Sequence, residues 1–187
     1  PLAVFDCPDK DALYKAAKKI RWEEFMTPKK TFAITANVSE SAITHSNFAG
    51  LRVKDALADY FRDRTNRRPN VDPKNPFVII NVHIHKDKGT ISIDASHGPL
   101  HKRGYREETI AAPMQETVAA AIIRQSGWNG EKPLYDPMCG SGTLLCEALM
   151  HYSRIPAQVF RSVFGFERLP DFDPDLWERV KAQALES

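Results

Sequence analysis

The sequence has few cysteines and no long apolar run, and both shortages narrow the class of protein. Only three cysteines occur in 187 residues, Cys7, Cys139 and Cys146, and none forms a C-x-x-C pair. This argues against a disulfide-rich secreted domain and favours a reduced, cytoplasmic setting. No apolar stretch is long enough to cross a bilayer, and the first residues lack the order of a secretory signal. We therefore expect a cytoplasmic protein with no membrane partner.

A large excess of one charge is also missing, but the basic residues are unevenly distributed. The net charge is +2, with 26 Lys and Arg against 24 Asp and Glu. Between Arg52 and Arg106 there are 12 Lys and Arg against 6 Asp and Glu, which leaves 14 against 18 elsewhere. Such a segment suits a polyanion, although charge alone fits a solvated helix face equally well.

The first half of the chain predicts an α+β domain in which helices cover one face of a small sheet. Helical spacing of apolar residues occurs in residues 9–25, where Asp9 is a candidate cap, and in residues 47–64. Alternating apolar residues predict strands at 31–38, 77–85 and 90–96. The sequence KDKG, ending in Gly89, predicts the turn between the last two strands.

After Gly98 the pattern changes to a glycine- and proline-containing connector with no apolar period. Helices are then predicted at 116–124, which Gly127 ends, at 143–150 and at 175–185. A short strand is predicted at 134–135, directly before a glycine turn. A strand, a glycine turn and a helix in this order form a unit that can hold a ligand at the start of the helix.

The glycine turn reads DPMCGSGT, from Asp136 to Thr143. A nucleoside-triphosphate loop would need a lysine after its last glycine, but Thr143 and Leu144 follow Gly142. A dinucleotide fingerprint would need a third glycine where Leu145 stands. A purely structural turn between a strand and a helix is the remaining plain interpretation.

Asp136 favours a ligand that carries both positive and negative groups. A carboxylate beside a pyrophosphate would add like-charge repulsion in a poorly screened place. S-adenosylmethionine instead offers an ammonium and a sulfonium to a carboxylate, and offers its own carboxylate to the N–H groups at the helix start. Glycines at 140 and 142 would let the backbone approach that ligand closely.

The sequence DPMCGSGTLLCEA resembles the first cofactor motif of the class I methyltransferases, as it occurs in the THUMP-containing RNA guanine-N2 methyltransferases. RRPNVDPKNP, the pair VIINVHIH and ISIDAS, and LHKRGYREETIAAPMQETVAAAII resemble the same family. The resemblance covers nearly the whole chain. It implies a THUMP RNA-binding domain at 1–102, lacking its N-terminal part, a connector at 103–112, and at 113–187 the first elements of an α/β, Rossmann-like class I methyltransferase domain.

This resemblance also implies residue roles and a substrate, guanine N2 of 23S ribosomal RNA. Around the methionine part of S-adenosylmethionine it places residues of the glycine turn and, more weakly, residues of the preceding helix. The residues so implied are Asp136, Cys139, Gly140, Ser141, Gly142 and Thr143, with Met114, Glu116 and Thr117. For RNA we select six residues of the basic segment, namely Arg67, Arg68, Lys102, Arg103, Tyr105 and Arg106.

Two parts that the family needs do not occur in the chain. One is an acidic residue ending the next strand, and the other is an Asn-Pro-Pro-Tyr-like turn that holds the base; Asp173-Pro174 lacks its second proline and aromatic residue. We therefore expect a fragment that is inactive alone and that could associate through an exposed sheet edge. The alternatives are a non-catalytic RNA-binding module and an adenine-N6 DNA methyltransferase.

Two further side-chain groups have simpler interpretations than catalysis or metal binding. Cys139 stands where the cofactor's amino-acid end is expected, so we favour packing over a nucleophilic role. His83 and His85 share one strand face, but no third ligand has a suitable spacing, and we predict no metal site.

Overall fold

The computed structural model describes residues 1–107 and 111–186. The chain divides into two compact units. One comprises Pro1–Gly98 with Phe164–Phe172, and the other comprises Pro99–Val163 with the segment that begins at Asp173. In the described part of the chain, no helix is long and apolar enough to span a membrane.

The first unit contains a four-stranded mixed sheet with the strand order β1-β4-β3-β2. Strands β3 and β4 pair antiparallel, as do β1 and β4, whereas β2 and β3 run parallel. Val78, Ile80, Val82 and Ile84 alternate along β3 and are buried. They join one hydrophobic core with the two helices of this unit, so the predicted period-two pattern is confirmed. The strands are β1 (Ala3–Asp6), β2 (Phe32–Ser39), β3 (Val78–His85) and β4 (Lys88–Ile93).

Helix α1 (Lys10–Lys19) begins as predicted but is shorter than expected. The Asp9 carboxylate accepts hydrogen bonds from the N–H groups of Asp11 and Ala12 and so caps the helix. At Ile20 the backbone becomes extended, and the buried Trp22 indole N–H donates to the carbonyl of Ala17 at 2.9 Å. The predicted helix to residue 25 was therefore wrong, because burying Trp22 requires the chain to turn.

Helix α2 (Ser46–Thr65) packs against α1 and β2 and extends one residue beyond its predicted range at each end. It ends at Asn66, which adopts the left-handed conformation with a φ of 53°. Asparagine tolerates this conformation better than most residues, so it stops the helix before the basic pair that follows.

The sheet differs from its prediction at the β3–β4 turn and at its edge. Lys86 and Asp87 form the turn, both with positive φ, whereas Gly89 lies within β4. A Cβ at Gly89 would stand 2.6 Å from the Phe5 ring, so this glycine makes room for β1 instead of forming the turn. Strand β1 itself was not predicted, because four residues are too few for a clear alternation.

Among its described residues, the second unit contains three α-helices, α3 (Glu116–Ser126), α4 (Thr143–Tyr152) and α5 (Pro174–Glu186). Helix α3 packs on α4, and Gly127 ends α3 in the left-handed conformation, as predicted. The predicted strand at 134–135 is wrong, since Tyr135 is exposed and no strand pairs with this segment in the described residues. A strand needs a neighbour to complete its hydrogen bonds. No sheet edge therefore forms at this segment in the described part of the chain, and association through an exposed edge stays a prediction.

Candidate cofactor-binding site

The segment Asp136–Thr143 forms a compact turn that leads directly into α4. An Asp136 carboxylate oxygen accepts a hydrogen bond from the N–H of Met138 at 3.1 Å, which fixes the first bend. The N–H of Gly142 then donates to the carbonyl of Cys139 at 2.8 Å, which fixes the second. Asp136, Cys139, Gly140, Ser141, Gly142 and Thr143 therefore lie together, as continuous sequence requires.

Both glycines of the turn adopt positive φ, 53° at Gly140 and 72° at Gly142. L side chains rarely adopt this conformation, which explains why glycine occupies both positions. Gly142 is the N-cap of α4, and no side chain caps the helix there. The N–H groups of the first turn of α4 thus remain available, next to a glycine whose Cβ position has no atom within 4 Å. This helix start is open and suited to an anionic group.

The residues preceding α3 are tied to the same turn by Arg106. Nη2 of Arg106 lies 2.9 Å from the carbonyl oxygen of Met114, 3.2 Å from Oε1 of Glu116 and 3.1 Å from Oγ1 of Thr143. Glu116 and Thr143 are buried, and the Arg106 side chain is 17% exposed. The start of α3 and the start of α4 therefore share one guanidinium group.

Met114 and Thr117 are the other two residues that were expected near the cofactor. Both have exposed side chains, and both lie beside the point where Arg106 joins α3 to α4. The structure thus brings Met114, Glu116 and Thr143 together through Arg106, whereas Thr117 makes no such link among the described residues. Arg106 was selected for RNA, and its place beside the turn was missed. Thr143 lies 37 residues further along the chain, so no local periodicity could have connected them.

Arg103 and Tyr105, also selected for RNA, are directed into the second unit. Arg103 is 9% exposed and forms an ion pair with Glu147 of α4, with Nε 3.1 Å from Oε1. The Tyr105 hydroxyl donates to the same carboxylate at 3.0 Å. Burial, followed by this hydrogen bond and the charge of Glu147, raises the pKa of Tyr105.

These contacts engage the polar groups of Arg103 and Tyr105 within the second unit. Glu147 lies four residues after Thr143 on the buried face of α4. An acidic residue at such a position requires a buried partner. The connector therefore supplies that partner.

Arg67, Arg68 and Lys102 are exposed, in contrast to the connector residues. Arg68, whose side chain is 53% exposed, lies 3.5 Å from the half-buried Asp59 carboxylate, and Arg67 has no ion pair among the described residues. A pair with such an exposed cation contributes little to stability and leaves the positive charge accessible. Arg67 and Arg68 directly follow α2, at the end of the sheet where β2 begins, since Phe32 donates to the carbonyl of Asn70.

Histidines and cysteines do not cluster. His85 contacts the Ser39 hydroxyl, His83 is exposed, and residues 1–107 and 111–186 contain no group of three side chains able to hold a metal ion. Cys139 is exposed in the glycine turn, and Cys7 is fully buried.

A cavity of about 630 Å³ opens in the second unit, away from the glycine turn. Residues from the last turns of α3 and α4, including Arg124 and His151, line it. The glycine turn does not contribute to its walls. This cavity is therefore separate from the candidate site at the open start of α4.

Two family models match the chain. The first, described as a THUMP domain, matches residues 7–94, and the second, described as RMKL-like, methyltransferase domain, matches residues 103–186.

Curated relatives are similar over almost the whole chain but are longer. The chain is 42% identical over 180 residues to slr0064 of Synechocystis sp., covering 96% of this chain and 47% of that protein. It is 42% identical over 188 residues to the ribosomal RNA large subunit methyltransferase K/L of Syntrophotalea carbinolica, covering 98% and 26%. The chain thus spans about half of the first relative and a quarter of the second.

Two solved structures are also similar over almost the whole chain, and both are longer than it. SMU.472, in complex with S-adenosylhomocysteine, aligns with a TM-score of 0.80 and 30% identity over 99% of this chain and 49% of its own. A Listeria monocytogenes protein named as a predicted N6-adenine-specific DNA methylase aligns with a TM-score of 0.80 and 28% identity, over 99% and 48%.

Proposed function

Because the chain consists of a THUMP domain followed by an RMKL-like methyltransferase domain, and so belongs to the THUMP-containing methyltransferases, we propose that its protein methylates ribosomal RNA. S-adenosylmethionine is the methyl donor, and guanine N2 of 23S ribosomal RNA is the acceptor. The reaction takes place in the cytoplasm. The THUMP domain, with boundaries near residues 1 and 102, holds the RNA, and residues from about 113 onward hold the cofactor.

The open start of α4 is the observation that carries this proposal. Its uncapped N–H groups lie next to Gly142 and suit the carboxylate at the methionine end of the cofactor. Asp136, held at the entrance of the turn, suits the cofactor's positive groups. Cys139, Gly140, Ser141 and Thr143 complete this lining, with Met114, Glu116 and Thr117 beside it. When bound, the cofactor supplies the methyl group, and the chain's own residues bind and orient its amino-acid end.

RNA binding is assigned to exposed cations of the basic segment, Arg67, Arg68 and Lys102. The support is their exposure, since a phosphate must reach the cation. Arg103, Tyr105 and Arg106 are left out of this set because their polar groups are engaged inside the second unit.

The 187-residue chain alone is expected to bind cofactor weakly and to transfer no methyl group. No Asn-Pro-Pro-Tyr-like turn occurs in its sequence, so nothing in it positions a target nitrogen in line with the methyl group. Purified chain and the complete gene product should be incubated side by side with labelled S-adenosylmethionine and a 23S ribosomal RNA transcript. Label should enter RNA only with the complete product, and incorporation by the chain alone would contradict this.

Nucleoside analysis of the labelled product tests the substrate. Methylation of guanine N2 in RNA is the expected result. Because the Listeria monocytogenes protein is named for adenine in DNA, unmethylated double-stranded DNA should be a parallel substrate. If the label is found as N6-methyladenine in DNA, the substrate is DNA and the proposed RNA substrate is wrong. If the complete gene product binds RNA but transfers no methyl group, the protein is a non-catalytic RNA-binding module.

A further inference from the structure

The hydroxyl groups of the glycine turn are connected to a partly buried cation, Arg106. Oγ1 of Thr143 lies 3.1 Å from Nη2 of Arg106 and 3.3 Å from Oγ of Ser141. Thr143 is 3% exposed, whereas Ser141 is half-buried at the open side of the turn. These three side chains therefore form a row that runs from the interior to the expected cofactor position.

The chemistry of a guanidinium group fixes the direction of the first hydrogen bond in this row. Arginine can only donate hydrogen bonds, so the Thr143 oxygen must be the acceptor from Arg106. A threonine hydroxyl has one proton, and that proton is then available for the Ser141 oxygen. If Ser141 accepts from Thr143, its own proton is free to be donated outward.

We propose that Arg106 directs a hydrogen-bond relay, from Arg106 to Thr143 to Ser141, that presents the Ser141 proton to the carboxylate of the cofactor's methionine end. This rests on the proposed function, which places that carboxylate at the start of α4. Arg106 is a positioning residue, because it acts through Thr143. Ser141 is the binding residue.

The placement of Arg106 matches such a role better than a purely structural one. Its Nη2 is shared by three acceptors, Met114, Glu116 and Thr143. Its Nε is buried without an acceptor in the described part of the chain, which is an unfavourable arrangement for an arginine that only stabilises the fold. Glu116 balances the charge, so the relay is polarised without leaving a buried cation unpaired.

The Ser141 contact is long for two hydroxyl groups, which usually lie closer in a hydrogen bond. Contacts of this kind commonly shorten when the ligand binds. Donation from Ser141 to a carboxylate is charge-assisted, and the preceding hydrogen bonds strengthen it. The relay therefore selects ligands that carry the amino-acid carboxylate.

Two ligands separate this effect from general damage to the site. S-adenosylhomocysteine contains the carboxylate, whereas 5′-methylthioadenosine contains the adenosine and sulfur but no amino-acid end. Their dissociation constants should be measured by calorimetry on the complete gene product, wild type and variants. The ratio of the two dissociation constants reports how much the amino-acid end alone contributes to binding.

Thr143→Val keeps the shape of the side chain and removes the hydroxyl. We expect it to weaken S-adenosylhomocysteine binding about 10-fold, the size of one hydrogen bond to a charged group, with methylthioadenosine binding unchanged. Thr143→Ser, which restores the hydroxyl, should recover the wild-type ratio. Ser141→Ala should match the valine variant, and combining the two should add little, because both act on one relay.

Arg106→Gln should change the same ratio in the same direction, and Arg179→Gln, at an exposed position of α5, is the matched control. The proposal is overturned if Thr143→Val binds S-adenosylhomocysteine as tightly as wild type, or if it loses both ligands equally. Wild-type protein that binds neither ligand would overturn the proposed function and this relay with it. Normal wild-type binding with an unchanged ratio in the variants would overturn the relay alone.

Discussion

At the scale of single residues, the environments of Cys7 and Cys139 predict opposite reactivity. Cys7 is fully buried, and burial, with the nearby Asp87 and Asp9 carboxylates, raises the pKa of its thiol to about 11 from an ordinary 9.0. Its thiolate fraction near neutral pH is therefore about 100-fold lower than that of an ordinary thiol. Cys139 is exposed in the glycine turn. We expect iodoacetamide to modify Cys139 quickly and Cys7 only after unfolding, as measured by peptide mass spectrometry.

Ligand protection extends this labelling experiment to the proposed cofactor site. S-adenosylhomocysteine should slow the modification of Cys139 in the complete gene product and leave Cys146 largely unaffected. Cys139→Ser should remove the fast-reacting thiol. An unchanged Cys139 rate at saturating ligand would place the cofactor away from the turn.

Residue type and spacing predicted which side chains lie together only where the contacts join residues that are close in sequence. The turn from Asp136 to Thr143 could be identified because its contacts are local. Arg103 and Arg106 could not be assigned, because their partners, Glu147 and Thr143, lie far along the chain. The sequence alone does not distinguish an arginine that binds RNA from an arginine that pairs with a buried carboxylate.

At the scale of helices and strands, the residues at which an element ends were harder to predict than the regular pattern within it. The amphipathic pattern located α2 closely, but the end of α1 depends on the burial of Trp22, a tertiary contact. The strand expected at 134–135 needed a partner that the described residues do not supply. The sequence nevertheless predicted the architecture correctly, a THUMP domain followed by elements of a class I methyltransferase domain.

The cap of α1 gives a pH-dependent prediction at this scale. Hydrogen bonds from the N–H groups of Ala12 and Asp11, with the charges of Lys15 and Lys10, lower the pKa of Asp9 below its ordinary 3.8. A lowered folded-state pKa means that the carboxylate form stabilises the fold. That contribution is complete above the ordinary pKa and is lost as the pH falls through the folded value. Asp9→Ala should therefore lower the free energy of unfolding at pH 7 and have a smaller effect near pH 3.

Asp9→Asn is the matched control for the cap. Asparagine caps a helix about as well as aspartate but does not titrate. Urea unfolding followed by circular dichroism at both pH values should show the asparagine variant to be more stable than the alanine variant at each. An alanine effect of equal size at pH 3 and pH 7 would mean that the charge of Asp9 does not contribute.

At the scale of the whole molecule, the proposed RNA surface lies at one of the two ends of the sheet. Arg67 and Arg68 lie at the end where β2 begins, and Lys86 and Lys88 lie at the other end, around the β3–β4 turn. All four are exposed, and the two lysines are each near one carboxylate, Glu40 or Asp6. Charge alone would make the two pairs equivalent. The proposed RNA surface makes them different, because only Arg67 and Arg68 belong to it.

The salt dependence of binding distinguishes these cases. Each cation that contacts a phosphate releases counterions, so removing it lowers the slope of log affinity against log salt by about 1. Arg67→Gln with Arg68→Gln should weaken binding to a 23S ribosomal RNA transcript and reduce that slope by about 2. The pair Lys86→Gln with Lys88→Gln removes the same charge and should change neither quantity. Equal effects from both pairs would mean that RNA responds only to net charge, and would contradict the assignment of the RNA surface to Arg67 and Arg68.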